Sequence, residues 1–305
     1  MTHFADHLVA AVRSKGNALC VGLDPRWDSL PVEVRSRHGG DTLDSIARAF
    51  EEFCCRVLDV VAQLVPVIKP QMALFEACGP AGFTALARVL AKARRLGLTI
   101  VLDGKRNDIA STATAYADAA LVGMVVGKAR LPVWDADALT VNPYLGRDAV
   151  DPFLESARRS GRGVYVLVRT SNAGAGQFQD LDCGGRPLYA HVADAVRAWS
   201  RENLGVSGFG DVGAVVGATY PAELAALRAA MPEVPFLVPG FGAQGGGAAD
   251  VARAFRGDGQ GAIINSSRAI LYAATPEARD WEAAVERATR DTIRLLAEVS
   301  AAEVP

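Results

Sequence analysis

Thr99-Ile-Val-Leu-Asp103-Gly-Lys105-Arg-Asn-Asp108-Ile109 opens as an apolar, partly β-branched run and ends in a cluster of charge. The segments on either side, Phe83 to Leu96 and Ile109 to Val122, carry apolar residues at a period near 3.6, the pattern of helices that bury one face. Gly97 lies just past the first of them, where helices commonly stop. A short apolar strand between two amphipathic helices is one repeat of a parallel βα sheet.

Outward from this unit the same alternation fills the chain. Runs at Ala18 to Leu23, Val65 to Ile68, Thr99 to Leu102, Ala138 to Val141, Gly163 to Val168, Val212 to Val216, Pro235 to Val238 and Gly261 to Ile264 are eight candidate strands. Helical periodicity occupies Leu43 to Val61, Phe83 to Leu96, Ile109 to Val122, Ala149 to Arg159, Tyr189 to Leu204, Pro221 to Ala230, Ala248 to Phe255 and Glu277 to Val299. Eight repeats predict an α/β fold, a (β/α)8 TIM barrel formed as a single domain by residues 1–305. An open doubly wound sheet shares this periodicity. Against it, no GxGxxG follows the first strand, and polar residues recur at the C-terminal ends of most strands. Gly174 to Pro187 reads as a long loop, and a mobile active-site loop is expected at about 172–187.

Composition narrows the partners. Of 305 residues half are hydrophobic, and 34 acidic residues nearly balance 32 basic ones. There is no basic excess to neutralise nucleic-acid phosphates or to hold anionic lipid, so small molecules or a second copy of the chain are the expected partners. The first fifteen residues lack the apolar core of a signal peptide, and no run approaches ~18 apolar residues; a cytoplasmic protein without membrane contact is expected. Cys20, Cys54, Cys55, Cys78 and Cys183 form an odd set with no CxxC spacing and read as reduced thiols. His3, His7, His38 and His191 are scattered outside every strand-end motif, so a His-based zinc site and a Ser/His/Asp hydrolase both lack their parts.

The chemistry gathers at strand ends. Two residues apart on a strand share a face, so Asp103 and Lys105 are expected to project together into the barrel mouth, with Asp108 opening the next helix. A lone DxK is most plainly a salt-bridged strand end. Here Lys69 ends the strand Val65 to Ile68, and Asp24 follows the first strand, so three successive strands end in charge. Such charges must neutralise one another, and networks of this kind shift pKa values. In the second half, Pro239-Gly-Phe-Gly242-Ala-Gln244-Gly is a Gly-rich turn after a strand, and Ser266-Ser267-Arg268 ends the next one. Gly-rich backbone amides, a helix N-terminus and an arginine after strands seven and eight make a phosphate cradle.

These residues resemble the orotidine 5'-phosphate decarboxylase family. Asp103-Gly-Lys105-Arg-Asn-Asp108 matches its DxKxxD signature, and Gly22-Leu-Asp24-Pro25, Lys69-Pro-Gln71, Ser171-Asn, Pro239-Gly-Phe-Gly-Ala-Gln244-Gly and Ser267-Arg268 fall in the family's order. The resemblance covers roughly residues 18 to 275, and Pro70-Gln71 with Arg169-Thr-Ser-Asn172 look like its longer bacterial branch. It implies conversion of orotidine 5'-monophosphate to uridine 5'-monophosphate with no cofactor and no metal. By the same resemblance Lys105 protonates the pyrimidine C6 carbanion and Asp103 faces the substrate carboxylate. Lys69 holds the network and contacts ribose, while Asp24 and Asp108 bind ribose hydroxyls. Asp108 and Thr112 reach into the neighbouring subunit of a homodimer with shared active sites. Ser171 reads the pyrimidine edge, and Pro239, Gly242, Gln244 and Arg268 belong to the substrate-binding, phosphate-facing set.

Three other readings of the barrel are weighed on the residues. A magnesium-dependent phosphosugar decarboxylase or synthase shares the DxK strand and wants another acidic ligand, for which Glu76 is the nominee. A Schiff-base aldolase would use Lys69 or Lys105 as a nucleophile of depressed pKa. A catalytically inactive nucleotide-binding barrel is the third alternative, disfavoured because its carboxylates would repel an anionic ligand.

Overall fold

The computed structural model of the chain describes residues 2–241 and 247–302. Eight parallel strands close a barrel: β1 Leu19–Leu23, β2 Val67–Pro70, β3 Thr99–Arg106, β4 Ala138–Val141, β5 Gly163–Arg169, β6 Val212–Val216, β7 Phe236–Val238 and β8 Ala262–Ser266. Each pairs with its neighbours in sequence, and β8 returns to β1 through Leu19 opposite Ile264. The closed ring removes the open doubly wound alternative, because such a sheet has two edges and this one has none.

Alternation along each strand sorts the side chains into two cores. Leu19, Val21, Ile68, Ile100, Leu102, Leu139, Val164, Val212 and Ile264 face outward under the helices. Cys20, Val67, Val101, Ala138, Tyr165, Val215, Leu237 and Ile263 fill the interior. The outer helices earn their places by one apolar stripe each, as in Leu43–Val61, where Thr42 and Ser45 form a capping box and Phe50, Phe53, Val57 and Val61 are buried.

An N-terminal helix, Phe4–Lys15, was not among the expected elements. His3 caps it and Gly16 ends it in a left-handed conformation. Its Phe4, Leu8 and Val12 join the interior core and close the barrel floor. The Phe4 ring meets Tyr165 edge-on at 6.0 Å, and it lies where a Cβ on Gly163 would stand 2.2 Å away, so only glycine opens β5 there.

Three further differences concern the elements around the site. Strand β3 runs four residues past Leu102. The helix expected over Ile109 to Val122 is an α-helix only at Ala110–Ala117, followed by a π-turn at Asp118–Val122 and a hairpin of Met124–Val126 with Ala129–Leu131. The segment read as a loop after Gly174 holds a helical turn at Gly176–Gln179 and a bridge between Asp182 and Pro187. All five cysteines are free thiols.

Candidate active site

The upper interior layer exchanges apolar side chains for charge on one side of the barrel. Lys69, Asp103 and Thr140, from β2, β3 and β4, face Leu167, Val215 and Leu237, from β5, β6 and β7, across a cavity of about 380 Å³. Thr170, Ser171, Asn172, Gln179 and Pro239 complete the rim. A ligand with one polar and one apolar side fits such a two-sided mouth.

Asp103 is the centre of the charged wall. Its Oδ2 accepts from Lys69 Nζ at 2.7 Å and Gln71 Nε2 at 3.0 Å, and its Oδ1 from Lys105 Nζ at 2.7 Å and Thr140 Oγ1 at 2.9 Å. Burial opposes its ionisation, but the charges of Lys69 and Lys105 outweigh burial and hold its carboxyl well below the usual carboxylate range. Burial likewise disfavours the Lys69 ammonium, and Asp103 with Asp24 overcomes this and raises the amine above its ordinary value. Beneath them, burial pushes the Cys20 thiol up to about 12, with Lys69 opposing and Asp103 and Asp24 reinforcing. The two lysines differ in access. The Lys69 side chain is 6% exposed and the Lys105 side chain 48%, so Lys105 is the ammonium a ligand meets.

Lys105 and Asp103 meet at the barrel mouth, as their spacing predicts, but through a bulge and not by simple strand alternation. Leu102 pairs with Leu139 and Arg106 with Val141, so β3 advances four residues while β4 advances two. Asp103, Gly104 and Lys105 occupy this bulge, and Lys105 adopts φ +44°. For a residue with a side chain that conformation costs roughly 1–2 kcal/mol.

The apolar wall is tied to the rim through Arg169. This buried guanidinium pairs with Glu223 at 2.6 Å and Asp180 at 3.2 Å, and lies over the rings of Tyr220 and Tyr189. Gln179 accepts the Thr170 N–H at 2.9 Å and donates to Thr170 Oγ1 at 2.8 Å. Ser171 packs so close to Gly217 that a Cβ there would lie 2.8 Å from its own.

The remaining expected site residues are distributed around this centre. Asp24 acts electrostatically on Lys69, and its Oδ1 is buried without a hydrogen-bond partner among the described residues. Asp108 Oδ1 accepts the Ile109 N–H at 2.8 Å, and Thr112 is exposed on the helix Ala110–Ala117. Neither lines the cavity of its own chain. Arg268 is exposed at the first residue of the helix Arg268–Leu271. Gly242 and Gln244 lie outside the described residues. Thr140 and Gln179 went unnoticed in the sequence. The signal for Thr140 was a polar residue inside the apolar run Ala138 to Val141, two positions after an inward-facing alanine; Gln179 offered none.

Two rival readings weaken on this geometry. Glu76, the nominated extra metal ligand, is paired with Arg106. Of the two lysines the aldolase reading could use, Lys69 is held as an ammonium by Asp103, whereas an imine-forming lysine must be readily deprotonated, and Lys105 is ion-paired with the same carboxylate at 2.7 Å.

Comparison with known proteins points to one family. Residues 17–283 match the model of the Orotidine 5'-phosphate decarboxylase / HUMPS family. An orotidine 5'-phosphate decarboxylase of Rhodopirellula baltica is 49% identical over 299 residues, covering 95% of this chain and 97% of its own. One from Deinococcus radiodurans is 43% identical over 271 residues, covering 88% and 89%. The solved structure of Leishmania donovani OMP decarboxylase superposes with a TM-score of 0.75 at 34% identity, covering 98% of this chain and 99% of that one. With a closed parallel barrel, the DxKxxD block at its mouth and a match that spans most of its length, the chain belongs to the orotidine 5'-phosphate decarboxylase family.

Proposed function

We propose that this protein decarboxylates orotidine 5'-monophosphate to uridine 5'-monophosphate, the last step of de novo pyrimidine synthesis. The observation that carries this reading is the Lys69–Asp103–Lys105 array facing an apolar wall in one cavity. Breaking the C6–carboxylate bond releases carbon dioxide and leaves the electron pair on C6. An ammonium beside that carbon stabilises the pair and then supplies the proton, a task for Lys105 because it is the accessible cation of the array. Asp103 faces the substrate carboxylate, and the like-charge contact is relieved as carbon dioxide leaves. Lys69 keeps Asp103 ionised. The reaction so written requires no cofactor or metal.

Around the reacting carbon, Ser171 reads the pyrimidine edge and Asp24 accepts a ribose hydroxyl, which suits its unpaired buried Oδ1. Pro239, Gly242, Gln244 and Arg268 form the phosphate side. Asp108 and Thr112 complete the ribose site of a second subunit, supported by their absence from the cavity of their own chain and by the exposed Ile109 beside them. The working unit is thus a homodimer in the cytoplasm. The segment at about 172–187 acts as the mobile loop over the substrate, and residues 1–305 act as one domain. No helix among the described residues is long and apolar enough to cross a membrane.

The test is a turnover assay that follows loss of orotidine 5'-monophosphate absorbance with and without EDTA. Wild-type turnover should be indifferent to EDTA, and Lys105→Ala and Asp103→Ala should each lower it at least about 100-fold while remaining folded. Near-wild-type turnover in either variant overturns the mechanism.

A further inference from the structure

Thr140 stands opposite the β3 bulge, almost wholly buried on the inner face of β4. The regular ladder is interrupted there, and the Lys105 N–H donates to Thr140 Oγ1 at 2.9 Å instead. The same hydroxyl donates to Asp103 Oδ1 at 2.9 Å, the oxygen that also receives Lys105 Nζ at 2.7 Å. One hydroxyl therefore secures both ends of Lys105, its backbone directly and its ammonium through Asp103. A valine fills the same space and can do neither.

We infer that Thr140 is a positioning residue for the decarboxylation: its hydroxyl holds the left-handed backbone of Lys105 and orients Asp103, so that the ammonium is aimed into the cavity. The inference rests on Lys105 as the proton donor. A side chain carried on a bulge with φ +44° has no regular strand to set its direction, and such conformations persist only where the surroundings over-determine them. Removing the hydroxyl leaves a backbone N–H and one carboxylate lone pair without partners, and lets the bulge relax toward a regular pleat. Ground-state binding through the apolar wall and the phosphate side is untouched, so the loss belongs in kcat.

Thr140→Val, Thr140→Ala and Thr140→Ser are compared with wild type in steady-state turnover, beside Lys105→Ala and with thermal melts of each. Because misplacement of a catalytic group by an ångström costs on the order of 100-fold, valine and alanine should lower kcat by about 10- to 100-fold with KM within about threefold. Serine, which keeps the hydroxyl, should stay within about threefold of wild type in kcat. Should valine fail to fold, alanine carries the same readouts. Full kcat in the hydroxyl-free variants, a serine variant as slow as valine, or a loss confined to KM overturns the role of Thr140. Turnover retained by Lys105→Ala instead overturns the assignment of the proton donor, whichever way the Thr140 series falls.

Discussion

Asp103 gathers two ammonium groups, a carboxamide and a hydroxyl around one carboxylate, and its ionisation holds the barrel mouth together. Because its folded pKa is depressed, the folded chain binds this proton more weakly than the unfolded chain does. The stabilisation is complete above the unfolded value of about 3.9 and is lost as pH falls through the lower folded value. Lys69 runs in the opposite sense. Its raised amine contributes fully below the unfolded value of about 10.4 and loses that contribution as pH rises through the higher folded value. Urea unfolding of wild type and Asp103→Asn should therefore show a stability difference that is constant between about pH 5 and about pH 8 and shrinks toward zero below about pH 4. A difference unchanged down to about pH 2 contradicts the depressed carboxyl.

At the scale of elements, the floor and the rim do different work. The helix Phe4–Lys15 stabilises the barrel from the end opposite the charges, with Phe4 inside the interior core. Truncating such a side chain removes its burial and leaves a cavity, so Phe4→Ala should cost about 3–5 kcal/mol in denaturant unfolding. The KM of the folded variant should not change, and a large KM effect would tie the floor to the site. The rim segment is held by Gln179 to Thr170 and through Arg169 to Glu223. Gln179→Ala removes two neutral hydrogen bonds of about 0.5–1.5 kcal/mol each and a longer contact from the Arg169 guanidinium at 3.4 Å. It should raise KM about tenfold and speed proteolytic cleavage within residues 170–187. A KM increase without faster cleavage would mean that Gln179 acts on substrate rather than on the rim.

The proposed phosphate side and the proposed subunit contact concern the assembly of the molecule. Arg268 is exposed at a helix start, and loss of a charge-assisted phosphate contact in Arg268→Ala should lower kcat/KM by about 10- to 100-fold. Unchanged kinetics with the phosphorylated substrate would remove it from the site. For composite sites the decisive measurement is subunit exchange between inactive Lys105→Ala and inactive Asp108→Ala. If Asp108 serves the neighbouring subunit, each heterodimer places both lesions in one site and leaves the other intact, so activity returns to up to about half of the heterodimer sites. If Asp108 only binds the Ile109 N–H of its own chain, each site keeps one lesion and mixing restores nothing.

The eightfold βα alternation and the strand ends that carry Asp24, Lys69 and Asp103 are legible in the residues, because alternating burial and helical stripes are local periodicities. The sequence also marked Arg268 and the DxKxxD block, whose spacing is short enough to read directly. How Lys105 meets Asp103 depends on the folded barrel. The pleat that spacing implies is broken by a bulge, and a bulge arises from the register between β3 and β4, strands some 35 residues apart at Lys105 and Thr140. For the same reason the partners of Thr140 and Gln179 could not be read: a polar residue inside an apolar run marks Thr140, but the hydrogen bonds of both residues go to groups remote in sequence or on a folded rim, and no local pattern encodes such a partner. The Phe4–Lys15 helix closes the floor by joining an interior core to which all eight strands contribute, in a ring that exists only once the chain has closed.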